Sequence, residues 1–281
     1  MTSGGGRHQR HTDILSPAGH VSASTLRHRS ATGDRWPPAT ALVTGATSGI
    51  GAAITRQLLA AGTKVRATGR SQAALAALAA DGCSTLAADL GDPATWPEVA
   101  RLAGADLDLL VGAAGIGAAG PVSELTTKEI NDLLTINLIA PLALVREVLP
   151  SLQRGQGRIV LVGSVAGALA VRDEAVYSAT KAGLAAFASA LRSELSGTGV
   201  SVTLSVPGAV ATPFFSRRGR EYSRRFPRPL DPERVATAVL DAAAHRRREV
   251  WTPRWLGAVA RLRGVAPTTY SRLADTFGGT S

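Results

Sequence analysis

The chain has 281 residues and a formal net charge of +10, with 45% apolar and 19% charged residues. This composition can bury a full core and excludes a disordered chain. Cys83 is the only cysteine, which excludes an intrachain disulfide and a zinc-thiolate cluster. No apolar run approaches the roughly 18 residues of a membrane span, and the N-terminus lacks the apolar region of a secretory signal. We therefore expect a soluble, cytoplasmic protein.

The charge is unevenly distributed along the chain. Residues 1–37 carry +3, residues 38–213 carry −1 and residues 214–281 carry +8. The first part lacks periodicity and holds four of the five histidines, at irregular spacings, so solvated disorder is favoured over a metal-binding tail. The sequence predicts a disordered tail over 1–37, a folded domain over 38–253 and a basic, amphipathic segment over 254–281.

Short apolar strands alternate with helices through the body. Strands are predicted at 41–43, 64–68, 85–88, 107–111, 158–162, 200–206 and 249–252. Helices are predicted at 50–61, 71–80, 126–149, 175–195 and 231–245, with Pro150 ending the third. Buried strands that alternate with helices are typical of a parallel sheet covered on both faces. The fold class is therefore α/β, a doubly wound Rossmann-type sheet in a single domain.

A glycine-rich turn, Thr44–Gly51, follows the first strand and opens a helix. Glycines let the backbone turn sharply and approach a pyrophosphate, whose charge suits the positive end of a helix. Gly45, Gly49 and Gly51 have the spacing G-x-x-x-G-x-G. A glycine turn alone is weak evidence, but its position after the first strand favours dinucleotide binding.

Tyr177 and Lys181 lie four residues apart in a predicted helix and therefore share a face. A lysine ammonium one turn away lowers the pKa of a phenol, which suits proton transfer at a carbonyl oxygen. The chain has only three tyrosines and three lysines, so a chance pairing on a solvated face is disfavoured. Ser164 follows the strand 158–162, at the sheet edge where ligands of open α/β sheets bind.

These features resemble the short-chain dehydrogenase/reductase family in order and spacing, over residues 40 to about 213. The resemblance implies that Tyr177 is the general acid/base and that Ser164 orients the carbonyl or alcohol. It implies that Lys181 binds the nicotinamide ribose and depresses the Tyr177 pKa. Asn137, in the long helix, is similar to the fourth catalytic residue of the family, which holds a water in the proton relay.

The resemblance also implies coenzyme contacts along the sheet edge, including the adenine-binding pair and the P-G-x-x-x-T segment. The implied contacts are Gly45, Thr47, Ser48, Gly49, Ile50, Gly51, Gly69, Arg70, Ser71, Asp89, Leu90, Ala114, Gly115, Tyr177, Lys181, Pro207, Gly208, Val210 and Thr212. The sequence departs from the family at Gly112–Gly115, which reads G-A-A-G instead of N-N-A-G. Both amide side chains are absent, so we expect a locally looser sheet but not lost catalysis.

The end of the second strand distinguishes the two nicotinamide coenzymes. An acidic side chain there binds the ribose hydroxyls of NAD, whereas an arginine accommodates the 2′-phosphate of NADP. The sequence has no acid there and places Arg70 after Gly69. A guanidinium fork suits phosphate, so the sequence predicts NADP(H). The alternative is a solvated arginine at a helix start.

The lid of the family lies over the substrate, here at about 212–230. Its aromatic residues are expected to wall an apolar pocket, and they are Phe214, Phe215, Tyr222 and Phe226. Its arginines either meet an anionic handle, such as phosphopantetheine, or form a solvated basic helix. The arginines and tryptophans of 246–263 fit an anionic membrane surface, but a terminal helix that caps the pocket or packs on another subunit is favoured, because amphipathicity is the rule for packed helices. Nucleic acid is disfavoured because no nucleic-acid-binding motif accompanies the charge.

The resemblance implies an NADP(H)-dependent carbonyl reductase or alcohol dehydrogenase acting on a small molecule, without a metal. A non-catalytic NADP(H)-binding redox sensor on the same fold is the alternative, but a sensor needs no proton donor. The D-G-G-type tail that builds tetramers in the 3-oxoacyl carrier-protein reductases of the family is absent here. The sequence therefore leaves a homodimer or a homotetramer open, with pairing through the helices 126–149 and 175–195.

Overall fold

A computed structural model describes residues 36–220, 222, 227–266 and 268. Its strands are β1 Thr40–Thr44, β2 Lys64–Gly69, β3 Ser84–Ala87, β4 Leu109–Gly112, β5 Arg158–Val162, β6 Ser201–Pro207 and β7 Glu249–Thr252. Its helices are α1 Gly49–Ala60, α2 Gln72–Ala80, α3 Trp96–Ala103, α4 Thr127–Leu134, α5 Ala140–Arg154, α6 Val165–Leu169, α7 Ala175–Glu194, α8 Phe214–Arg217, α9 Pro232–Ala244 and α10 Trp255–Val265.

The strands form one parallel sheet in the order β3-β2-β1-β4-β5-β6-β7. The chain runs outward from β1 in one direction, returns, and runs outward from β4 in the other. Helices cover both faces, which confirms the predicted doubly wound α/β fold. The reversal between β1 and β4 opens a crevice at the carboxyl ends of these strands, where ligands of such sheets bind.

Two apolar layers hold the helices to the sheet. One layer packs α3, α5 and α7 on one face, and its fully buried members include Leu144, Leu152 and Leu184. The other packs α1 and α9 on the opposite face, through side chains such as Ile54 and Leu240. All five residues of β1 and of β5 are buried, as expected for central strands covered on both sides.

The long helix differs from its predicted form at both its middle and its end. A π-helical turn, Thr135–Ile139, separates α4 from α5, and Pro150 lies inside α5 instead of ending it. The helix continues because the residues after the proline are buried: Leu152 lies in the core, and the Ser151 hydroxyl accepts a hydrogen bond from the Leu107 N–H at 3.0 Å. This burial outweighs the hydrogen bond that proline removes.

The helices α3 and α6 were absent from the predicted elements.

The expectation that no segment is apolar and long enough to span a membrane needs correction. By length and composition, the 28-residue helical stretch Thr127–Arg154 is a candidate span. Core helices of soluble proteins pass the same test, and this stretch packs against α3 and α7. It therefore gives no argument for a membrane protein.

Helix α10 was also not predicted as a defined element, and it packs on the domain. Leu256 is buried against Gly208, and Gly257 lies against the Trp251 ring. Its outer face leaves Trp255 and Leu262 exposed. At the other end of the chain, Trp36, which the sequence placed in the disordered tail, stacks under the Arg158 guanidinium at 5.3 Å. The histidines of the tail lie outside the described residues.

Candidate functional site

A cleft of about 400 Å³ lies at the carboxyl ends of β1, β2 and β4. Ten of the predicted coenzyme residues line it, and these are Gly45, Thr47, Ser48, Gly69, Arg70, Ser71, Asp89, Leu90, Ala114 and Gly115. The sequence did not single out five further lining residues, namely Thr68, Ala88, Ala113, Ile116 and Ile136. Arg217 from the lid segment completes the wall.

The glycine turn forms the floor of this cleft, and its glycines allow close backbone approach. Gly45 has a φ of +66°, and a Cβ there would lie 2.8 Å from the backbone of Ala114. A Cβ on Gly51 would overlap the carbonyl oxygen of Gly45. The turn leads into the N-terminus of α1, where backbone N–H groups are available to an anion. This cradle fits the pyrophosphate of a dinucleotide.

The end of β2 forms one wall of the cleft. Gly69 lies directly under Thr47, because a Cβ on this glycine would come within 2.6 Å of the Thr47 hydroxyl oxygen. Arg70 is exposed at the cleft and follows the strand. Ser71 caps α2 by accepting a hydrogen bond from the Ala74 N–H at 3.3 Å. No carboxylate lines this wall among the described residues, since Asp89 follows the neighbouring strand β3.

The remaining predicted coenzyme residues do not line the cleft itself. Tyr177 and Lys181 belong to the catalytic group described below, Ile50 and Gly51 lie in α1, and Pro207 ends β6. Thr212 packs against Gly49, with its methyl carbon 3.2 Å from where a Cβ would stand. Gly208 contacts Leu256 of α10, and Val210 is buried and pairs with Leu230. The P-G-x-x-x-T segment therefore packs between the glycine turn and the C-terminal elements.

Helix α7 presents Tyr177 and Lys181 on one face, next to the end of β5. Ser164 lies close enough to the Tyr177 hydroxyl to lower its pKa, and it caps α6 by accepting from the Ala166 N–H at 3.1 Å. The Lys181 Nζ donates to the Val162 carbonyl oxygen at 3.0 Å and lies 5.8 Å from the Tyr177 ring centre. The structure thus brings together the three residues that the sequence placed in one site.

Burial controls the protonation of this pair. It raises the pKa of Tyr177 to about 12, although the hydrogen bond from Ser164 opposes the rise. It lowers the pKa of Lys181 to about 8, because a charged ammonium is costly away from water. The structure does not show the expected depression of the Tyr177 pKa by Lys181. Burial is the largest cause of the shift, and the Lys181 ammonium donates to a carbonyl of β5 and not to the phenol.

Asn137 lies in the π-helical turn and is 1% exposed. Its amide clamps the loop after β4: the Oδ1 accepts from the Ile116 N–H at 2.9 Å, and the Nδ2 donates to the Ile116 carbonyl at 2.9 Å. A Cβ on Gly115 would lie 3.1 Å from the Asn137 Oδ1 and 3.5 Å from the Lys181 Nζ. Asn137 and Lys181 therefore meet across Gly115 at the base of the cleft.

The family model described as short chain dehydrogenase matches residues 39–223. This chain belongs to the short-chain dehydrogenase/reductase family. Among curated relatives, the ketoacyl reductase HetN of Nostoc sp. is 32% identical, covering 85% of this chain and 89% of its own. The 3-oxoacyl-[acyl-carrier-protein] reductase FabG of Escherichia coli is 35% identical over 61% of this chain and 73% of its own. The chain is thus an oxidoreductase of this family.

Two solved structures extend the comparison. A short-chain dehydrogenase from Sphingobium yanoikuyae, in complex with NADPH, superposes with a TM-score of 0.73 and 29% identity, over 85% of this chain and 96% of that one. A short-chain dehydrogenase/reductase from Burkholderia phymatum, in complex with NAD, gives 0.72 and 25%, over 81% and 93%. Both neighbours hold a nicotinamide dinucleotide, and the two coenzymes differ by the 2′-phosphate.

The departure from the family at Gly112–Gly115 is accommodated by a threonine of β1. The Thr44 hydroxyl accepts from the Ala113 and Ala114 N–H groups at 3.2 Å each and donates to the Val111 carbonyl at 3.4 Å. The ladder between β1 and β4 runs without a break to the pair of Thr44 and Gly112. The Thr44 hydroxyl, from the neighbouring strand, thus holds this turn in the absence of the two asparagine side chains that the family usually has there.

A buried ion pair beside Tyr177 is the main functional feature that the sequence analysis missed. Arg218 of the lid segment bonds Glu174, and their side chains are 7% and 14% exposed. The carboxylate of Glu174 raises the Tyr177 pKa and the Arg218 guanidinium lowers it, both by less than burial does. Phe214 packs on Tyr177 with ring centres 5.5 Å apart. The sequence did contain a signal for this ion pair, because the acidic Glu174 lies three residues before Tyr177.

Proposed function

We propose that the protein is an NADP(H)-dependent oxidoreductase that transfers hydride between nicotinamide and a carbonyl or secondary alcohol. The observation that carries this proposal is the buried Tyr177 hydroxyl, which lies beside Ser164 and one helical turn from the buried Lys181. This arrangement presents a proton donor and a second hydroxyl to one oxygen atom. A redox sensor of the same fold has no use for such a group, and nothing in the site favours that alternative.

The cleft would hold the coenzyme through the glycine cradle at its centre and the wall at the end of β2. NADP(H) supplies the hydride when bound, and the residues of the chain supply position and the proton. Arg70 supports NADP(H) over NAD(H), because it faces the cleft where no described carboxylate lines the end of β2. Steady-state kinetics with both coenzymes test this choice, and a preference for NADH would contradict it.

We favour the reductive direction because cells keep NADP largely reduced, and the raised pKa of Tyr177, about 12, keeps a proton on the phenol for that step. A phenol with this pKa stays protonated at neutral pH and can donate its proton to a carbonyl oxygen that gains negative charge. Ser164 holds that oxygen by a second hydrogen bond. Lys181 and Asn137 fix the helix and the loop around the phenol and are our candidates for the proton relay.

We propose a substrate whose carbonyl lies against an aromatic wall. Phe214 packs on Tyr177, Phe215 packs on Phe214 at 5.7 Å, and Tyr222 packs on Phe215 at 5.0 Å. Phe226 lies outside the described residues. Two lid arginines that the sequence offered to an anionic handle are paired with carboxylates instead, Arg218 with Glu174 and Arg220 with Asp173. These pairs favour a neutral substrate, with acyl thioesters, the class suggested by the names of the relatives, as the alternative.

The test is NADPH oxidation across ketones, aldehydes, steroids and acyl thioesters, with wild type and Tyr177→Phe. We expect the variant to bind NADPH as wild type does and to lose about 10²- to 10⁴-fold in kcat, since only the proton donor is removed. Tyr222→Phe is the matched control, because it keeps a ring of the aromatic wall and removes only a hydroxyl that donates to the Pro227 carbonyl at 2.6 Å. Coenzyme binding without turnover in both wild type and variant would favour the sensor.

We also propose that the protein is cytoplasmic and forms a homodimer or homotetramer through α5 and α7. Support for this pairing comes from the helical stretch Thr127–Arg154, because only 33% of its most apolar 18 residues are buried within the chain. Ile139, beside α5, is 47% exposed. An apolar helix face of this kind suits a second copy. Analytical ultracentrifugation with Ile139→Glu tests the pairing.

A further inference from the structure

Three consecutive contacts hold the lid segment, residues 213–220, to the body. Phe214 packs on Tyr177, Arg218 bonds Glu174, and Arg220 bonds Asp173 at 2.8 Å. Both of these arginines are therefore neutralised by the two acids that precede α7. These two ion pairs fix the segment over the catalytic helix, and neither Arg218 nor Arg220 keeps an unpaired charge for a ligand.

Arg217 points to a different part of the molecule. It lines the coenzyme cleft, and its Nη1 donates to the Ser48 hydroxyl at 3.3 Å. Within the described part of the chain, no carboxylate lies within ion-pair distance of this guanidinium. The Ser48 side chain makes no capping bond to α1, although the residue occupies the N-cap. An uncompensated cation and a hydroxyl without a capping role thus meet at the cleft.

The position of this contact identifies the ligand group. Ser48 lies in the glycine turn at the N-terminus of α1, whereas Arg70 lies at the end of β2. The two cleft arginines are therefore assigned to separate parts of a dinucleotide. A guanidinium fork beside helix N–H groups matches a diphosphate, which carries two negative charges.

We propose that Arg217 is a coenzyme-binding residue supplied by the lid, and that its ligand is the pyrophosphate of the nicotinamide dinucleotide. This inference rests on the proposed function for the identity of the coenzyme. Arg218 follows directly and holds Glu174, three residues before Tyr177. Binding of pyrophosphate by Arg217 would therefore join the coenzyme to the same segment that contacts the catalytic helix.

The test measures dissociation constants of the full-length protein for NADPH, NADH and 2′-AMP, which lacks the pyrophosphate. We expect Arg217→Gln to weaken NADPH and NADH by the same factor, about 10- to 100-fold, because a charge-assisted bond to phosphate is lost. Affinity for 2′-AMP should stay within about twofold. Arg217→Lys keeps the charge without the fork and should give an intermediate loss.

Two further arginines supply the controls. Arg70→Gln should weaken NADPH and 2′-AMP but not NADH, since its proposed ligand is the 2′-phosphate. Arg220→Gln removes an equal charge from the same segment and should leave all three constants within about twofold. The proposal is overturned if Arg217→Gln changes NADPH affinity less than twofold, or weakens NADPH and spares NADH. Thermal unfolding of each variant without coenzyme checks that it folds.

The outcomes separate this proposal from the proposed function. If wild type binds NADPH but reduces no carbonyl, the oxidoreductase proposal fails while the binding comparison still decides the role of Arg217. If Arg217→Gln binds NADPH as wild type does and wild type reduces carbonyls, only the role of Arg217 fails. Absence of any dinucleotide binding by wild type overturns both.

Discussion

The floor of the site and its lid are built by different interactions. On the floor, Lys181 and Asn137 are buried and bond backbone atoms of β5 and of the loop after β4. In the lid, Arg218 and Arg220 bond carboxylates, and Phe214 contacts an aromatic ring. Backbone contacts inside a core fix geometry, whereas an exposed ion pair such as that of Arg220 responds to salt and rings can turn. We infer that the floor holds the groups that transfer the proton, whereas the lid determines which substrates can enter the site.

The largest expected effect comes from adding one methyl group to the floor. A Cβ on Gly167 in α6 would lie 2.6 Å from the Lys181 carbonyl carbon, which is backbone of the catalytic helix. Gly167→Ala must separate α6 from α7 and move Ser164 away from Tyr177. We expect a loss of about 1–3 kcal/mol in unfolding free energy, measured with urea, together with a large fall in kcat.

Gly117→Ala is the matched control for the lid. A Cβ there would also lie 2.6 Å from a neighbour, but that neighbour is the tip of the Phe214 ring. A ring at the end of a side chain can turn, so we expect a loss of under about 1 kcal/mol and a raised KM for the substrate. Equal losses of stability in the two variants would contradict the distinction between floor and lid.

The buried lysine predicts an unusual dependence of stability on pH. Native Lys181 loses its proton near pH 8, whereas the unfolded chain holds that proton to about 10.5. Between these values the unfolded state binds more protons, so the free energy of unfolding rises with pH. From pH 7 to 9.5 the contribution is about 2 kcal/mol. Above pH 10 the raised pKa of Tyr177 acts in the opposite sense and reduces stability.

Denaturant unfolding of the coenzyme-free protein at pH 7 to 9.5 measures this slope. Lys181→Met should remove the rise, while Lys64→Met, which alters an exposed lysine of β2, should preserve it. A slope that is equal in wild type and Lys181→Met would show that burial does not perturb this ammonium.

The smallest expected effect concerns the ion pair of the lid. Glu174→Gln removes a carboxylate that raises the Tyr177 pKa and leaves Arg218, which lowers it. The pKa of Tyr177 should therefore fall, and the ascending limb of the kcat/KM profile for alcohol oxidation, where the phenol must lose its proton, should move to lower pH. We expect a stability loss of about 1.5 kcal/mol.

Asp173→Asn is the control for this variant. Its backbone has a φ of +61°, which asparagine tolerates, and its partner Arg220 is more exposed than Arg218. This change should leave the pH profile of alcohol oxidation unshifted. An unshifted profile in Glu174→Gln as well would mean that the lid does not tune the acid.

The sequence predicted those parts of the fold and site that depend on local pattern. The strand bounds of β5 and β7, the glycine turn and the pairing of Tyr177 with Lys181 follow from periodicity and spacing. It did not predict α5 beyond Pro150, because buried Leu152 outweighs a local rule against proline. The direction of the Tyr177 pKa shift was missed for a similar reason, since desolvation depends on elements distant in the sequence.

The lid illustrates a further limit of sequence reasoning. Arg217, Arg218 and Arg220 are chemically alike and nearly adjacent, so pattern alone assigns them one role. In the structure one lines the coenzyme cleft, another is buried beside the catalytic helix, and the third pairs with a carboxylate near the surface. The direction of each side chain depends on the loop conformation, and no periodicity encodes it.

The π-helical turn at Thr135–Ile139 has a consequence for how this protein can change in length. Each residue added to or removed from a helix rotates everything beyond it by about 100°. The wide turn sets the phase at which α5 begins, so that Leu144, Val148 and Leu152 face the core while Asn137 faces Ile116. Deleting one residue here would rotate the apolar stripe away from the sheet. The exposed residues 121–124 lie in no such helix, so one residue added there should disturb the core less than one added to the π-helical turn.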